Sequence, residues 1–270
     1  MGTSGVLRLS GRDTLPLLHR VTTNALDDLQ PGEARATLWC DFRGRLQFRA
    51  VVAVTSTGEV WLLRGDATGA ELADALDKSI FRDDVRVEDV SHAYAFVLAR
   101  GTTGESGVLA ETDGVPSIVS TGDGTRLVRA GAAEPLGEVA RIALLHPRHG
   151  REIVDAFNPF EVGLAHEVHL AKGCFTGQEA LQRLITYGSV RRRPARVQVS
   201  SPAPPLPCDV HAKGDAPEDR AGVLTSFEGG EGFAILRREE LEAGADFVLP
   251  DGRAVEVIAA PEPARPQGRP

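Results

Sequence analysis

Cysteine is scarce in this chain of 270 residues: there are three, at positions 40, 174 and 208. An odd, scattered trio makes no disulfide framework, which points to a reducing, cytoplasmic setting. Positive charge is in deficit as well. Thirty Lys and Arg stand against 38 Asp and Glu, for a formal net charge of −8. That balance argues against a general nucleic-acid binder, whose domains are basic, while leaving room for a local basic patch. No stretch of about 18 uncharged apolar residues occurs, so no membrane span is expected. The opening MGTSGVLRLSG lacks the basic start and long apolar core of a signal peptide. Neither G-x-G-x-x-G nor a Walker A pattern occurs, which weakens the case for a dinucleotide or P-loop site.

What is present is an ordinary globular composition, 42% hydrophobic and 25% charged, long enough for one large domain or two to three smaller ones. Val6–Leu9 reads as a short strand, and Asp13–Arg20 as a helix capped by Asp13 or Thr14. Ala34–Cys40 reads as a buried strand, Asp41–Gly44 as a turn and Arg45–Val54 as its hairpin partner. Val60–Arg64 is a further strand. Leu72, Ala73, Leu76 and Ile80 recur at helical spacing within Gly69–Ile80. Val85–Val90 and Ala93–Ala99 read as strands. Hairpin-joined strands interspersed with helices predict an α+β fold rather than a doubly wound parallel sheet. Gly101–Gly131 is rich in glycine and threonine, with only short strand-like pieces, and Leu136–His146 reads as a helix. Ser201–Pro207 carries four prolines in seven residues, a loop or stiff linker. Beyond it, Ala221–Ser226, Gly232–Leu236, Asp246–Leu249 and Ala254–Ile258 read as strands of a small β-barrel or sandwich. Pro261–Pro270 is expected to be a disordered tail.

Chemistry concentrates in Lys172–Glu179, KGCFTGQE. Two glycines permit a close backbone approach, and Lys172 beside Cys174 favours the reactive thiolate. The same residues also read as a helix start, with Thr176 and Glu179 forming a T-x-x-E capping box and Cys174 a small apolar filler. His166 and His169 with Cys174 have some zinc-ligand character, but nothing completes a tetrahedral set, so no metal is expected. Arg183, Arg191, Arg192, Arg193 and Arg196 form the densest basic run, either a solvated face or an anion site. Asp41 either organises its turn or bonds a ligand.

KGCFTGQE closely resembles the K-G-C-[YF]-x-G-Q-E signature of the YgfZ family, folate-binding relatives of the glycine-cleavage T-protein. Val6–Asp13, Leu18–Asn24, Cys40–Arg45, Phe81–Val85 and Asn158–Leu164 resemble the same family, in the expected order. The resemblance implies two intertwined α+β domains over residues 1–195 and a C-terminal β-barrel over 196–260, around a central channel for tetrahydrofolate or a derivative. It implies a role in assembling or maintaining iron–sulfur proteins, including those that modify tRNA, with Cys174 as reactive thiol and Lys172 beside it. Asn24, Asp41, Glu161, Gln178, Glu179 and Arg183 are then the expected folate contacts. The implied partners are folate and iron–sulfur proteins or their assembly factors, with no direct nucleic acid and no membrane, and the chain is expected to be a monomer. Two departures stand out. The T-protein enzymes carry G-G-I-x-D-D after this turn, whereas here Gly44-Arg45-Leu46-Gln47-Phe48 offers no carboxylate, which disfavours the alternative of an aminomethyltransferase or other one-carbon transferase. Leu145–Gly150, LHPRHG, replaces an acidic segment of the relatives.

Overall fold

A computed structural model of the chain describes residues 4–214, 216, 219–262 and 264–268. The fold is α+β. Strands β1 (Gly5–Ser10), β2 (Ala34–Cys40), β3 (Leu46–Val54), β4 (Val60–Arg64) and β5 (Arg86–Asp89) form an antiparallel sheet in the order β2-β3-β4-β1-β5. Side chains alternate across a strand, and here both faces are covered. Leu7, Leu9, Val52 and Leu62 pack under helices α1 (Thr14–Val21) and α2 (Ala70–Asp77), against Leu18, Leu72 and Leu76. Val6, Val51, Trp61 and Leu63 pack on the other face against Phe96, Val119 and Leu127. That second layer is a long hairpin, β6 (Phe96–Thr112) and β7 (Val115–Arg129). Asp113 and Gly114, at φ 55° and 76°, form the two-residue turn between them, the geometry that Asp-Gly favours.

A closed barrel follows, in the order β10-β11-β8-β13-β12-β9. Its strands are β8 (Arg192–Val199), β9 (Cys208–Ala212), β10 (Gly222–Glu228), β11 (Glu231–Arg237), β12 (Phe247–Val248) and β13 (Ala254–Ala259), with a short helix α5 (Arg238–Glu242). The barrel begins four residues before the expected 196, inside the arginine run. Arg193, Pro194 and Ala195 are buried in β8 and register with Leu236, Ile235 and Ala234. Charge and a proline disguised this strand. Of the expected tail, residues 263, 269 and 270 lie outside the described residues; within it, the Gln267 backbone bonds Val168 and Leu170, and its amide bonds the His166 carbonyl. Composition alone could not show that this proline-rich end finds backbone partners. Among the described residues no helix is long and apolar enough to cross a membrane.

Between α3 (Glu138–Ala143) and α4 (Gln178–Thr186) the chain is irregular apart from a 3₁₀ turn at Ala165–Glu167, yet most of its apolar side chains are buried. Phe157, Phe160, Val162, Leu164 and Val168 join Leu38 and Leu46 of the sheet to Phe233 and Ile235 of the barrel. A fully buried carboxylate locks this joint. Glu152 accepts from Thr225 Oγ1 at 2.5 Å, Ser226 Oγ at 2.7 Å and Arg141 Nη1 at 3.1 Å. Removing one member strands buried charge, so Glu152→Ala is expected to cost about 3–5 kcal/mol of stability, read from the urea midpoint. Glu152→Gln should cost less.

Candidate functional site

The KGCFTGQE loop is mounted on the β2–β3 turn, over 130 residues away in sequence. Gly177, at φ 85°, caps α4, and a Cβ there would strike the Asp41 carbonyl oxygen. Only glycine accommodates both demands. The expected capping box is therefore corrected: Gly177 is the N-cap, and no side chain caps the helix. Asp41 is an organiser of its turn, its Oδ1 accepting from the amides of Arg43 and Arg45, each at 2.8 Å.

Within the loop most polar groups serve this mounting. Gln178 Nε2 donates to Leu170 O at 2.8 Å. Glu179 and Arg183 pair with each other at 2.6 Å on the solvent side of α4. Lys172 Nζ donates to the His19 carbonyl and stands 5.0 Å over the Phe175 ring, while the Lys172 carbonyl meets His19 Nε2 at 2.8 Å. Burial pushes the Lys172 amine down to about 8. Cys174 is exposed, and its thiol has no hydrogen-bond partner among the described residues.

The other expected contacts lie elsewhere. Asn24 is buried, donating to Ala36 O at 2.8 Å and accepting from the Ala25 amide. It faces a cavity of about 350 Å3 shared with Glu167 and Gln267. Glu161 is buried between Arg192 Nε at 2.8 Å and Arg45 Nη1 at 3.3 Å. None of the eight expected residues lines the cavity of about 440 Å3 between β3–β4 and the β6–β7 hairpin.

That cavity has apolar walls including Val51, Leu63, Val119 and Leu127, and a polar set of Arg49, Arg64, Asp66, Arg126, His146 and His149. Sequence reasoning missed these six. The available signal was charge at Arg49 and Arg64 within otherwise apolar strands, together with the LHPRHG departure. Arg64 Nε and Nη2, Arg126 Nε, His146 Nδ1 and His149 Nδ1 are buried without partners. Such groups are costly unless something satisfies them. Asp66 Oδ2 accepts the His149 amide at 2.7 Å.

Behind the wall, Arg49 donates to Glu167 at 2.7 Å, Asp123 at 3.3 Å and His146 Nε2 at 3.0 Å. A guanidinium only donates, so His146 Nε2 accepts and the neutral ring carries its proton on Nδ1. Burial, then Arg49, push His146 down to about 3. Burial opposes charge on Asp123, but Arg49 prevails and holds it below the ordinary carboxylate range. Past the Asp41–Gly44 turn, Phe48 stacks on His149 with ring centroids 6.4 Å apart, and Arg49 beside it in sequence is this buried cation.

His146 makes stability pH-dependent with a definite sign. Below about 6.5 the unfolded imidazole takes a proton that the folded one refuses until about pH 3, so stability falls as pH drops through that window, by up to about 1.4 kcal/mol per unit. His146→Gln should flatten the dependence of the urea midpoint on pH between 6.5 and 5; an unchanged slope would contradict this assignment.

The family model described as GCVT N-terminal domain matches residues 1–111, and that described as CAF17, C-terminal beta-barrel domain matches residues 191–262. A chloroplastic protein of Arabidopsis thaliana whose name assigns it to the transferases is 27% identical, over 89% of this chain and 65% of its own length. Aminomethyltransferases of Streptomyces coelicolor and Geobacillus kaustophilus are 25% and 28% identical, over 72% and 70% of this chain and 64% of each relative. The chain thus spans slightly less than two thirds of these relatives. Its fold is similar to the crystal structure of glycine cleavage system aminomethyltransferase T from Bartonella henselae, with TM-score 0.71 and 17% identity, over 95% of this chain and 83% of that one. The chain thus joins a GCVT N-terminal domain to a CAF17-type C-terminal β-barrel, the combination of the CAF17/YgfZ-like family, on a fold similar to that of the T-protein.

Proposed function

We propose that the chain binds a reduced folate in the 440 Å3 cavity and serves, in the cytoplasm, as an accessory factor that maintains iron–sulfur proteins, with Cys174 as its reactive thiol. One observation carries the folate reading: a ligand-sized cavity whose buried guanidinium and imidazole nitrogens lack partners. The residues present fit such a ligand. Apolar walls suit the flat pterin and benzoyl rings, Asp66 suits ring N–H groups, and Arg64 and Arg126 suit oxygen acceptors or a glutamyl carboxylate. When bound, tetrahydrofolate supplies a ring nitrogen that carries one-carbon units. Neutral His146 holds its Nδ1 proton, and Arg49 stays paired behind it.

Iron–sulfur proteins or their assembly factors are the proposed partners of a monomeric chain, since a solvent-exposed thiol suits an external partner. The names of the curated relatives favour a second reading, a one-carbon transferase. Against it, Gly44–Phe48 offers no carboxylate for that chemistry. Substantial turnover with an aminomethyl donor would establish this rival.

Calorimetric titration with 5-formyltetrahydrofolate should give one site per chain. Arg64→Ala and Arg126→Ala should each weaken it by about tenfold or more, the worth of a charged hydrogen bond, with circular dichroism confirming their folds. Cys174→Ala should bind folate as the wild type does, yet fail to restore iron–sulfur enzyme activity in cells lacking the protein. No binding at millimolar folate would overturn the first claim, and full rescue by Cys174→Ala the second.

A further inference from the structure

The foot of the barrel holds positive charge that nothing in the folate reading uses. In the β8–β11 pairing Arg192 stands directly opposite Arg237, an arrangement in which like charges repel. Arg45, Arg191 and Arg220 join them around a separate cavity of about 450 Å3, and Glu161 is the one carboxylate in its described wall. Neighbouring acids neutralise only part of this set. Arg45 and Arg192 share Glu161, Asp209 takes Arg220 at 3.2 Å, and Glu240 takes Arg237 at 3.0 Å. Among the described residues, five guanidiniums stand against three carboxylates, a surplus of two positive charges. Arg191 has no ion-pair or side-chain hydrogen-bond partner among the described residues, and Arg45 Nε and Nη2 and Arg192 Nη1 are likewise unengaged. A guanidinium stays charged at every physiological pH, so the surplus is permanent and only an anion relieves it.

We propose that this cavity is a binding site for a small phosphorylated molecule, held by its phosphate or diphosphate group. The two-charge surplus matches a phosphate dianion. The forks come from three directions, the β2–β3 turn, the start of β8 and the approach to β10, which suits tetrahedral oxyanions better than one planar carboxylate. A long polyanion such as RNA is the poorer occupant, because the chain as a whole carries −8 and the site is a bounded cavity rather than a stripe. The site shares no lining residue with the 440 Å3 cavity. Glu161, expected to touch folate, instead aligns Arg45 and Arg192 at this second site.

The probe is inorganic pyrophosphate, titrated calorimetrically into the full chain at low salt, where the attraction is least screened. Saturable binding at one site per chain is expected. Arg191→Glu/Arg220→Glu, both exposed at the rim, should weaken it at least a hundredfold while the melting temperature shows the fold retained. Saturating 5-formyltetrahydrofolate should leave pyrophosphate affinity unchanged, so failure here and failure of the folate site are separable. Absence of saturable binding at millimolar pyrophosphate would overturn the proposal, as would full affinity in the double variant. Equal affinity for tri-γ-glutamate would also overturn it, in favour of a carboxylate site.

Discussion

Three buried glutamates hold the molecule's parts in register. Glu152, Glu161 and Glu167 all lie in the irregular stretch between α3 and α4, none more than 5% exposed. Each takes a guanidinium from a different place: Glu152 from Arg141, Glu161 from Arg45 and Arg192, Glu167 from Arg49. A carboxylate loses more by leaving water than one ion pair returns, so such burial is tolerated only where further hydrogen bonds complete it. Here they do: Thr225 and Ser226 for Glu152, the Asn158 amide for Glu161, three contacts from one arginine for Glu167. The demand for those partners fixes where sheet, hairpin and barrel sit. A segment without regular structure can thereby serve as the hub of a core.

The cavities follow from the same pairing. Because Glu167 and Asp123 fix Arg49 with its guanidinium against His146, the imidazole must present Nδ1–H on its other side, buried and without a partner. Arg49 and His146 line the 440 Å3 cavity, whereas Glu167 lines the 350 Å3 one with Asn24 and Gln267. The Arg49–Glu167 ion pair lies between the two hollows, and Thr121 lines both. The docked tail residue Gln267 borders only the second.

How much of this was legible in the sequence depended on whether the signal was local. Ala34–Cys40 and Val60–Arg64 coincide with their strands because doubly buried strands read as continuous apolar runs. The β6–β7 hairpin read only as fragments: register shifts between Arg100 and Thr103 and between Thr103 and Ser106 break the alternation, although Asp113-Gly114 marked its turn. β8 was hidden by arginines that pair with glutamates distant in sequence. The motif KGCFTGQE was legible, but the cavity was not, because its polar residues are single charges drawn from four separate segments. Arg64 stands out only as a charge at the end of an apolar strand, and nothing local distinguishes Arg126 from surface residues.

The motif itself divides into mount and presented group. Gly177 lies on the Asp41–Gly44 turn, Phe175 and Leu181 are buried, and Gln178 and Lys172 are tied to backbone carbonyls. What remains free in this stretch is chiefly Cys174 and Thr176, both exposed. A thiol on a rigid mount costs little entropy to present repeatedly in one geometry, whereas one on a loose loop pays that cost at every encounter. Since no residue of the motif lines the 440 Å3 cavity, chemistry at Cys174 in the proposed function is directed at a group brought from outside. In that proposal the cavity and the thiol are separate sites, and the thiol is the one open to a partner.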